Sequence, residues 1–215
     1  MQPFIYLASQ SPRRQELLQQ IGVHFELLLP GADEDAEALE STMSNEPALD
    51  YVKRVTLAKL EAAHQRLNQR QLPWAPILCA DTTVAISLNG QESILGKPEG
   101  PEDAQRILRL LSGQTHQVHT AIAMQINDSL SHPMPLLAVS SSEVRFKTLD
   151  EDLIATYIAS GEPMGKAGAY GIQGVAACFI ENIQGSFSGI MGLPVFETAQ
   201  LLQKADVQFA LHTSR

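Results

Sequence analysis

The chain has 215 residues, 44% of them hydrophobic and 18% charged, which places it among ordinary globular proteins with ample length for a core. Its net charge of -9 argues against a generic nucleic-acid binder, which needs a net basic surface or a long basic run. No apolar run approaches the ~18 residues of a membrane span and no secretory leader pattern opens the chain, so a cytoplasmic protein without a membrane segment is expected.

A short apolar run over 4–7 predicts a buried strand. A helix follows, with Leu17, Leu18 and Ile21 on one face and Gly22 as its stop; Ser11 is a good cap and Pro12 falls at the first helical position. Residues 23–29 predict a second strand. The acidic segment 33–37, with Glu40 beyond it, reads as a solvated loop. Ser44 or Asn45 can cap the next helix, with Pro47 just inside it and an apolar face from Leu49 to Ala63. The continuous run 77–80 is of buried-strand type and is interrupted by Asp81. The strand itself continues past Asp81 through Val84, Ala85 and Ile86, and Asn89-Gly90 marks a hairpin. Pro101 opens a helix with Ala104, Ile107, Leu108 and Leu111 inward. Strands are expected over 117–126, 136–146 and 176–183, a loop over 127–135, and helices over 150–159 and 194–205, with frayed final residues. The cysteines, Cys79 and Cys178, lie in apolar runs, so two buried free thiols are expected, with no disulfide framework. No repeat or biased linker divides the chain. The expectation is one α/β domain over 1–215, with a mixed, elongated sheet flanked by helices and a cleft between two lobes.

Three stretches carry chemistry. The first is Ser9-Gln10-Ser11-Pro12-Arg13-Arg14, a tight turn into a helix N-terminus. Free backbone N–H groups, the positive end of a helix dipole, hydroxyls and guanidinium forks converge there on an anion site. Cations at a helix N-terminus oppose the dipole by a few tenths of a kcal/mol, a misfit that a bound phosphate would relieve. The second is Asp81, a carboxylate directly after buried apolar residues, expensive unless paired, metal-bound or facing a cleft. It reads as a metal ligand or general base. The third is the glycine-rich 166–174, where Gln173 offers the paired donor and acceptor that a nucleobase edge requires. Tyr170 in the same stretch reads as packed inward. Glu34, Lys59 and Lys97 would not be chosen from composition alone. His116 and His119 sit in a strand-like pattern without a cysteine cluster, so a zinc pair is not expected. No GxGxxG, Walker A, nucleophile elbow or HExxH is present.

Taken together, LASQSPRRQELL (7–18), DE (33–34), YVKRVTLAKLEA (51–62), ADTTV (80–84), LGKP (95–98), LSGQTHQVHTAI (111–122), KAGAYGIQG (166–174) and GLP (192–194) resemble the Maf family of nucleoside triphosphate pyrophosphatases. The similarity covers nearly the whole chain. It implies an inosine-triphosphatase-like α/β fold and cleavage of a nucleotide to its monophosphate and pyrophosphate. A divalent cation (Mg²⁺, Mn²⁺ or Co²⁺) is implied as cofactor, and a homodimer is compatible with it. By the resemblance, Ser9, Arg13, Arg14, Lys59 and Lys97 bind the phosphates, Glu34 and Asp81 hold the metal, and Asp81 is the catalytic residue. Arg13, Thr82 and Gln173 match the branch acting on dTTP and UTP; the branch acting on 7-methyl-GTP has Trp, Gln and Glu there. The sequence departs from the pattern at Phe187, where a tyrosine is common, and in the longer loop 127–135. The competing reading is a nucleotide-sensing regulator of cell division and septum formation that binds without turnover.

Overall fold

A computed structural model describes residues 2–31, 34–35, 38–128 and 134–211. Asp33 of the DE motif, much of the acidic segment 33–37, the middle of the loop 127–135 and the last four residues lie outside them. The elements run β1 (Ile5–Leu7), α1 (Pro12–Gln20), β2 (Phe25–Leu27), a 3-10 turn (Ala38–Glu40), α2 (Ala48–Gln69), β3 (Ile77–Leu88), β4 (Gln91–Leu95), α3 (Pro101–Leu111), β5 (Thr115–Gln125), β6 (Leu136–Phe146), α4 (Glu151–Ala159), two further 3-10 segments (Ala167–Ala169 and Val175–Phe179), β7 (Ile180–Gln184), α5 (Phe187–Met191) and α6 (Val195–Lys204). The architecture is α/β, with one mixed seven-stranded sheet ordered β2-β1-β3-β5-β6-β7 and β4 paired to β3.

β3 positions the site. Along one edge it pairs antiparallel with β5 from Ile77 to Ala85. Its other edge is shared. β1 lies parallel to its start, through Tyr6↔Ile77 and Leu7↔Leu78, and β4 lies antiparallel to its end, from Val84↔Leu95 onward. Neither neighbour covers residues 79–83 on that side, so the sheet edge is split where Asp81 and Thr82 stand. The chain leaving β1 and the chain leaving β4 diverge there and wall a cleft, much as ligands settle at the switch points of open α/β sheets.

The hydrophobic cores flank this split. On one face Leu17 and Leu18 of α1 pack with Leu78, Ala80, Leu201 and Leu202. On the other, Leu60, Ala63 and Leu67 of α2 cover Tyr6, Ile77 and Cys79. Beyond the split, Val84 and Ile86 join α3, α4 and a run of edge-to-face rings that includes Phe146, Tyr170 and Phe179. Each such leucine or isoleucine contributes about 1.5–3 kcal/mol of transfer free energy, so the strand is fixed on both sides of the gap.

As expected, the strand runs on past Asp81: β3 is continuous from Ile77 to Leu88. Several other expectations need correction. α2 starts at Ala48 without a Ser44 or Asn45 cap; Glu92 of β4 accepts from the Ala48 amide at 2.7 Å instead. Ser11 occupies the cap position of α1 but makes no side-chain cap, and its amide donates to Ser9 Oγ at 3.3 Å. The strand expected over 176–183 begins only at Ile180. Before it, the Glu162 carboxylate accepts from the Val175 and Ala176 amides and winds residues 175–179 into a 3-10 turn. That turn carries Cys178 to the surface, so only Cys79 is a buried thiol. The hairpin at Asn89-Gly90, the helix Pro101–Leu111 and the strand Leu136–Phe146 fall where expected.

Candidate active site

The turn after β1 is pinned by the Ala8 amide on the Leu78 carbonyl, and Ser9 is buried. Arg14 donates to Ser9 Oγ through Nη1 at 3.0 Å and to the Gly192 carbonyl through Nε at 2.7 Å. Arg13 Nε donates to the Met191 carbonyl at 3.2 Å. Both acceptors lie at the C-terminal end of α5. The carbonyls that close one helix therefore meet the cations that open another, and part of the expected dipole misfit is resolved within the chain. Burial pushes both guanidinium groups below their ordinary range, opposed at Arg14 mainly by the Asp81 carboxylate.

Strand alternation sends the next two residues to opposite faces. Asp81, 7% exposed, faces α2, where Lys59 Nζ donates to its Oδ1 at 2.6 Å. Thr82 faces α1 and α5. Its Oγ1 accepts from Arg14 Nη2 at 3.3 Å and lies 3.0 Å from the hydroxyl of Thr120, which donates to the Gly189 carbonyl. The tight Gly96-Lys97-Pro98 turn after β4 carries Lys97, whose Nζ donates to Glu40 Oε2 at 2.8 Å.

Glu34 is held differently. Arg66, buried on α2, donates Nε to both of its oxygens at 2.8 and 3.0 Å and Nη2 to Oε2 at 2.5 Å. These bonds hold the carboxyl down at about 2, well below its ordinary value. Among the described residues, three or more carboxylates, histidines or cysteines do not gather as a ready-made ligand set. The donors present are hard carboxylate oxygens, and Asp81 and Glu34 both line the cleft. That donor set fits Mg²⁺ or Mn²⁺, ions commonly held by one or two carboxylates plus substrate phosphates.

The glycine-rich stretch closes the far wall. The Gly168 amide donates to the Gly96 carbonyl, tying this loop to the turn that bears Lys97. Gly168 has φ +70°, and a Cβ there would meet Val84 at 2.9 Å, so the close docking on β3 requires glycine. Tyr170 packs inward, with its hydroxyl 2.8 Å from His116 Nε2. His119 points to the other face of β5 and meets Ser141. Gln173 is exposed on the cleft wall, its side chain without a hydrogen-bond partner among the described residues and its Oε1 close to Gly171.

One cleft of about 730 Å³ gathers all nine residues singled out from the sequence: Ser9, Arg13, Arg14, Glu34, Lys59, Asp81, Thr82, Lys97 and Gln173. Sequence reasoning missed three others. Glu40 carries no pattern that separates it from its acidic neighbours. Arg66 stands seven residues after Lys59, a helical spacing that marks one face of α2. Lys166 lines the cleft too, its ammonium donating to the Glu162 carbonyl.

Cations around a helix N-terminus, a buried carboxylate–lysine pair and a glycine-rich wall with an exposed amide side chain define a site for a phosphorylated small molecule on an α/β sheet. The family model for Maf-like protein matches residues 4–205, and the chain belongs to the Maf family. It is 56% identical to the dTTP/UTP pyrophosphatase of Albidiferax ferrireducens, over 94% of this chain and 97% of that one. It is 57% identical to that of Ralstonia nicotianae, over 95% of each chain, and 58% identical to that of Burkholderia lata, over 96% of this chain and 95% of that one. A HAM1 protein from Coxiella burnetii overlays on 67% of this chain and 73% of its own, with a TM-score of 0.40 at 19% identity, too distant to bear on fold or function.

Proposed function

We propose that this protein hydrolyses dTTP and UTP between the α and β phosphates, releasing the nucleoside monophosphate and pyrophosphate, and so clears surplus or modified nucleotides from the pool. The observation that carries the reading is the close similarity over nearly the full chain to proteins named for that activity. The cleft supports it by presenting five of the resemblance's phosphate-binding residues, Ser9, Arg13, Arg14, Lys59 and Lys97, opposite Gln173.

In this reading the α1 amides, Ser9, Arg13 and Arg14 cradle the phosphate chain, and Lys59 and Lys97 neutralise its charge. The Asp81 carboxylate accepts a proton as a water oxygen attacks the α-phosphorus. The bond from that phosphorus to the bridging oxygen breaks, and pyrophosphate takes the electron pair. No covalent enzyme intermediate is needed; positioning and charge neutralisation do the catalysis. Asp81 and Glu34 would hold a divalent cation (Mg²⁺, Mn²⁺ or Co²⁺), Glu34 giving up its Arg66 partner, and the ion would supply further charge neutralisation on the phosphates. Gln173 reads the pyrimidine edge. Thr82 acts through Arg14, whose guanidinium it holds. A cytoplasmic location and a homodimer belong to the same reading; among the described residues no helix is long and apolar enough to cross a membrane.

The test is to incubate purified protein with dTTP, UTP, CTP and 7-methyl-GTP plus Mg²⁺ and to measure pyrophosphate, orthophosphate and monophosphate. Pyrophosphate from dTTP and UTP is expected. Orthophosphate in its place would make the protein a phosphatase. Binding without release of either would favour the regulator.

A further inference from the structure

Glu40 has no role in the mechanism above, yet it lines the cleft. Its Oε1 accepts from Lys59 Nζ at 2.7 Å and its Oε2 from Lys97 Nζ at 2.8 Å. The two lysines come from different walls, one from α2 and one from the turn after β4. Each oxygen of the carboxylate therefore satisfies one ammonium, which is how a phosphate group bridging the two would be held.

The backbone that carries Glu40 is fastened down. Tyr51 donates its hydroxyl to the Glu40 carbonyl at 2.9 Å. Arg54 donates to the Ser41 carbonyl at 2.9 Å and to both oxygens of Glu46 at 2.6 and 2.7 Å. The Glu40 side chain joins the two lysines. Burial alone would push its carboxyl up, but the two lysines outweigh it and the net direction is down. Lys59 already has Asp81 as a partner, and Lys97 is half-exposed and could be solvated. The bridge is thus not needed to keep either lysine from being buried unpaired.

We propose that Glu40 is the resident counter-ion of the phosphate-binding lysines. It stands where a phosphate group would bridge Lys59 and Lys97, and an incoming polyphosphate displaces it from both. The consequence is selectivity. Bare polyanions, pyrophosphate among them, must break two ion pairs without help from the glycine-rich wall, so they bind weakly and the product leaves. A nucleotide offsets that cost with contacts from its base and sugar.

This inference rests on the reading that Lys59 and Lys97 bind phosphates, and the experiment separates the two. Pyrophosphate and tripolyphosphate affinities are measured by calorimetry in excess chelator, for the wild type and for Glu40→Gln, Glu40→Ala, Glu26→Gln, Lys97→Met and the Glu40→Gln/Lys97→Met double variant. Glu40→Gln and Glu40→Ala should each tighten both polyanions at least tenfold. Glu26→Gln, which removes an exposed carboxylate on β2 outside the cleft, should leave them at wild-type values, with circular dichroism checking that every variant is folded. Unchanged or weaker binding in both Glu40 variants overturns the proposal, as does an equal gain in Glu26→Gln. If Lys97→Met fails to weaken binding in the Glu40→Gln background, the phosphate reading itself is wrong. If Lys97→Met weakens it there while the Glu40 variants do not tighten, only the role of Glu40 falls.

Discussion

Arg14 Nε donates to the carbonyl of Gly192 at 2.7 Å, joining the first helix to the end of α5 across 178 residues of sequence. The bond orients a cation into the cleft while the same guanidinium holds Ser9 and Thr82. It depends on a backbone that only glycine adopts without strain, because Gly192 closes α5 at φ +116°. A Cβ there would sit 3.5 Å from both Arg14 Nε and Thr82 Oγ1, so space is adequate and the backbone conformation is the obstacle. Gly192→Ala should therefore lose about 1–3 kcal/mol of stability. It should also raise KM for nucleotide several-fold as the carbonyl turns away from Arg14. Thermal denaturation and steady-state kinetics check the two effects; an unchanged Tm with an unchanged KM would refute the dependence.

The glycine-rich wall has its own anchor. The Glu162 carboxylate accepts from the Tyr157 hydroxyl at 2.9 Å and from the Val175 amide at 2.9 Å, immediately after Gly174. A Cβ on Gly174 would collide with that carboxylate. Gly174→Ala should expel Glu162, unwind the 3-10 turn and misplace Gln173, raising KM for dTTP about tenfold with little change in kcat, the cost of roughly one hydrogen-bonding interaction to the base. Glu162→Ala should do the same, and the double variant should be no worse than either, because both remove one shared contact. Additive losses in the double variant would mean that the two residues act independently.

The buried histidines set a pH window for stability. Burial holds His116 down to about 3, and His119 is also lowered by burial, with Glu92 opposing. An unfolded histidine titrates near 6.5. Between those values the unfolded chain binds more protons than the folded one, so stability is complete above about pH 6.5 and falls as pH drops below it. His116 alone accounts for a slope of about 1.4 kcal/mol per pH unit. Glu34, depressed to about 2, adds its loss only below its ordinary range near 4.5. Urea unfolding between pH 6.5 and 5 should show the histidine slope in the wild type and one proton less in His116→Gln. Equal slopes would place His116 in a less buried state than its 1% exposure indicates.

Much of this was legible in the residues, and what was not has a physical reason. Local codes carried the elements: Pro12 and Pro101 opened their helices and Asn89-Gly90 turned its hairpin. Local codes failed where a distant side chain intervened. Glu92 caps α2 from 44 residues away in sequence, and Glu162 converts the start of an apparent strand into a 3-10 turn. The split edge of β3 is likewise a property of pairing, invisible in the run that contains Asp81. Motifs brought the nine cleft residues to notice, but not their partners. Nothing in an acidic loop distinguishes Glu40, which bridges two lysines, from Glu46, which secures the same segment to α2.

In the proposed mechanism the cut depends on Asp81, whose ion-pair partner is Lys59. Lys59 Nζ has two carboxylate partners, so Asp81→Asn removes one and leaves Glu40 to hold the lysine in place. The phosphate-binding geometry should survive, and KM for dTTP should change less than threefold if Asp81 works mainly in the transition state. Loss of a general base costs about 10²–10⁴ in rate, so kcat should fall at least 100-fold. The two roles given to Asp81 then separate by titration. A residue needed only to hold the cation loses affinity for it, and raising Mg²⁺ or Mn²⁺ restores turnover. A base does not recover, because no concentration of metal replaces the proton acceptor beside the attacking water. The expected result is a kcat that stays low at saturating cation, while the cation concentration for half-maximal rate rises. Full recovery at high Mg²⁺ would reduce Asp81 to a metal ligand and require another acceptor in the cleft.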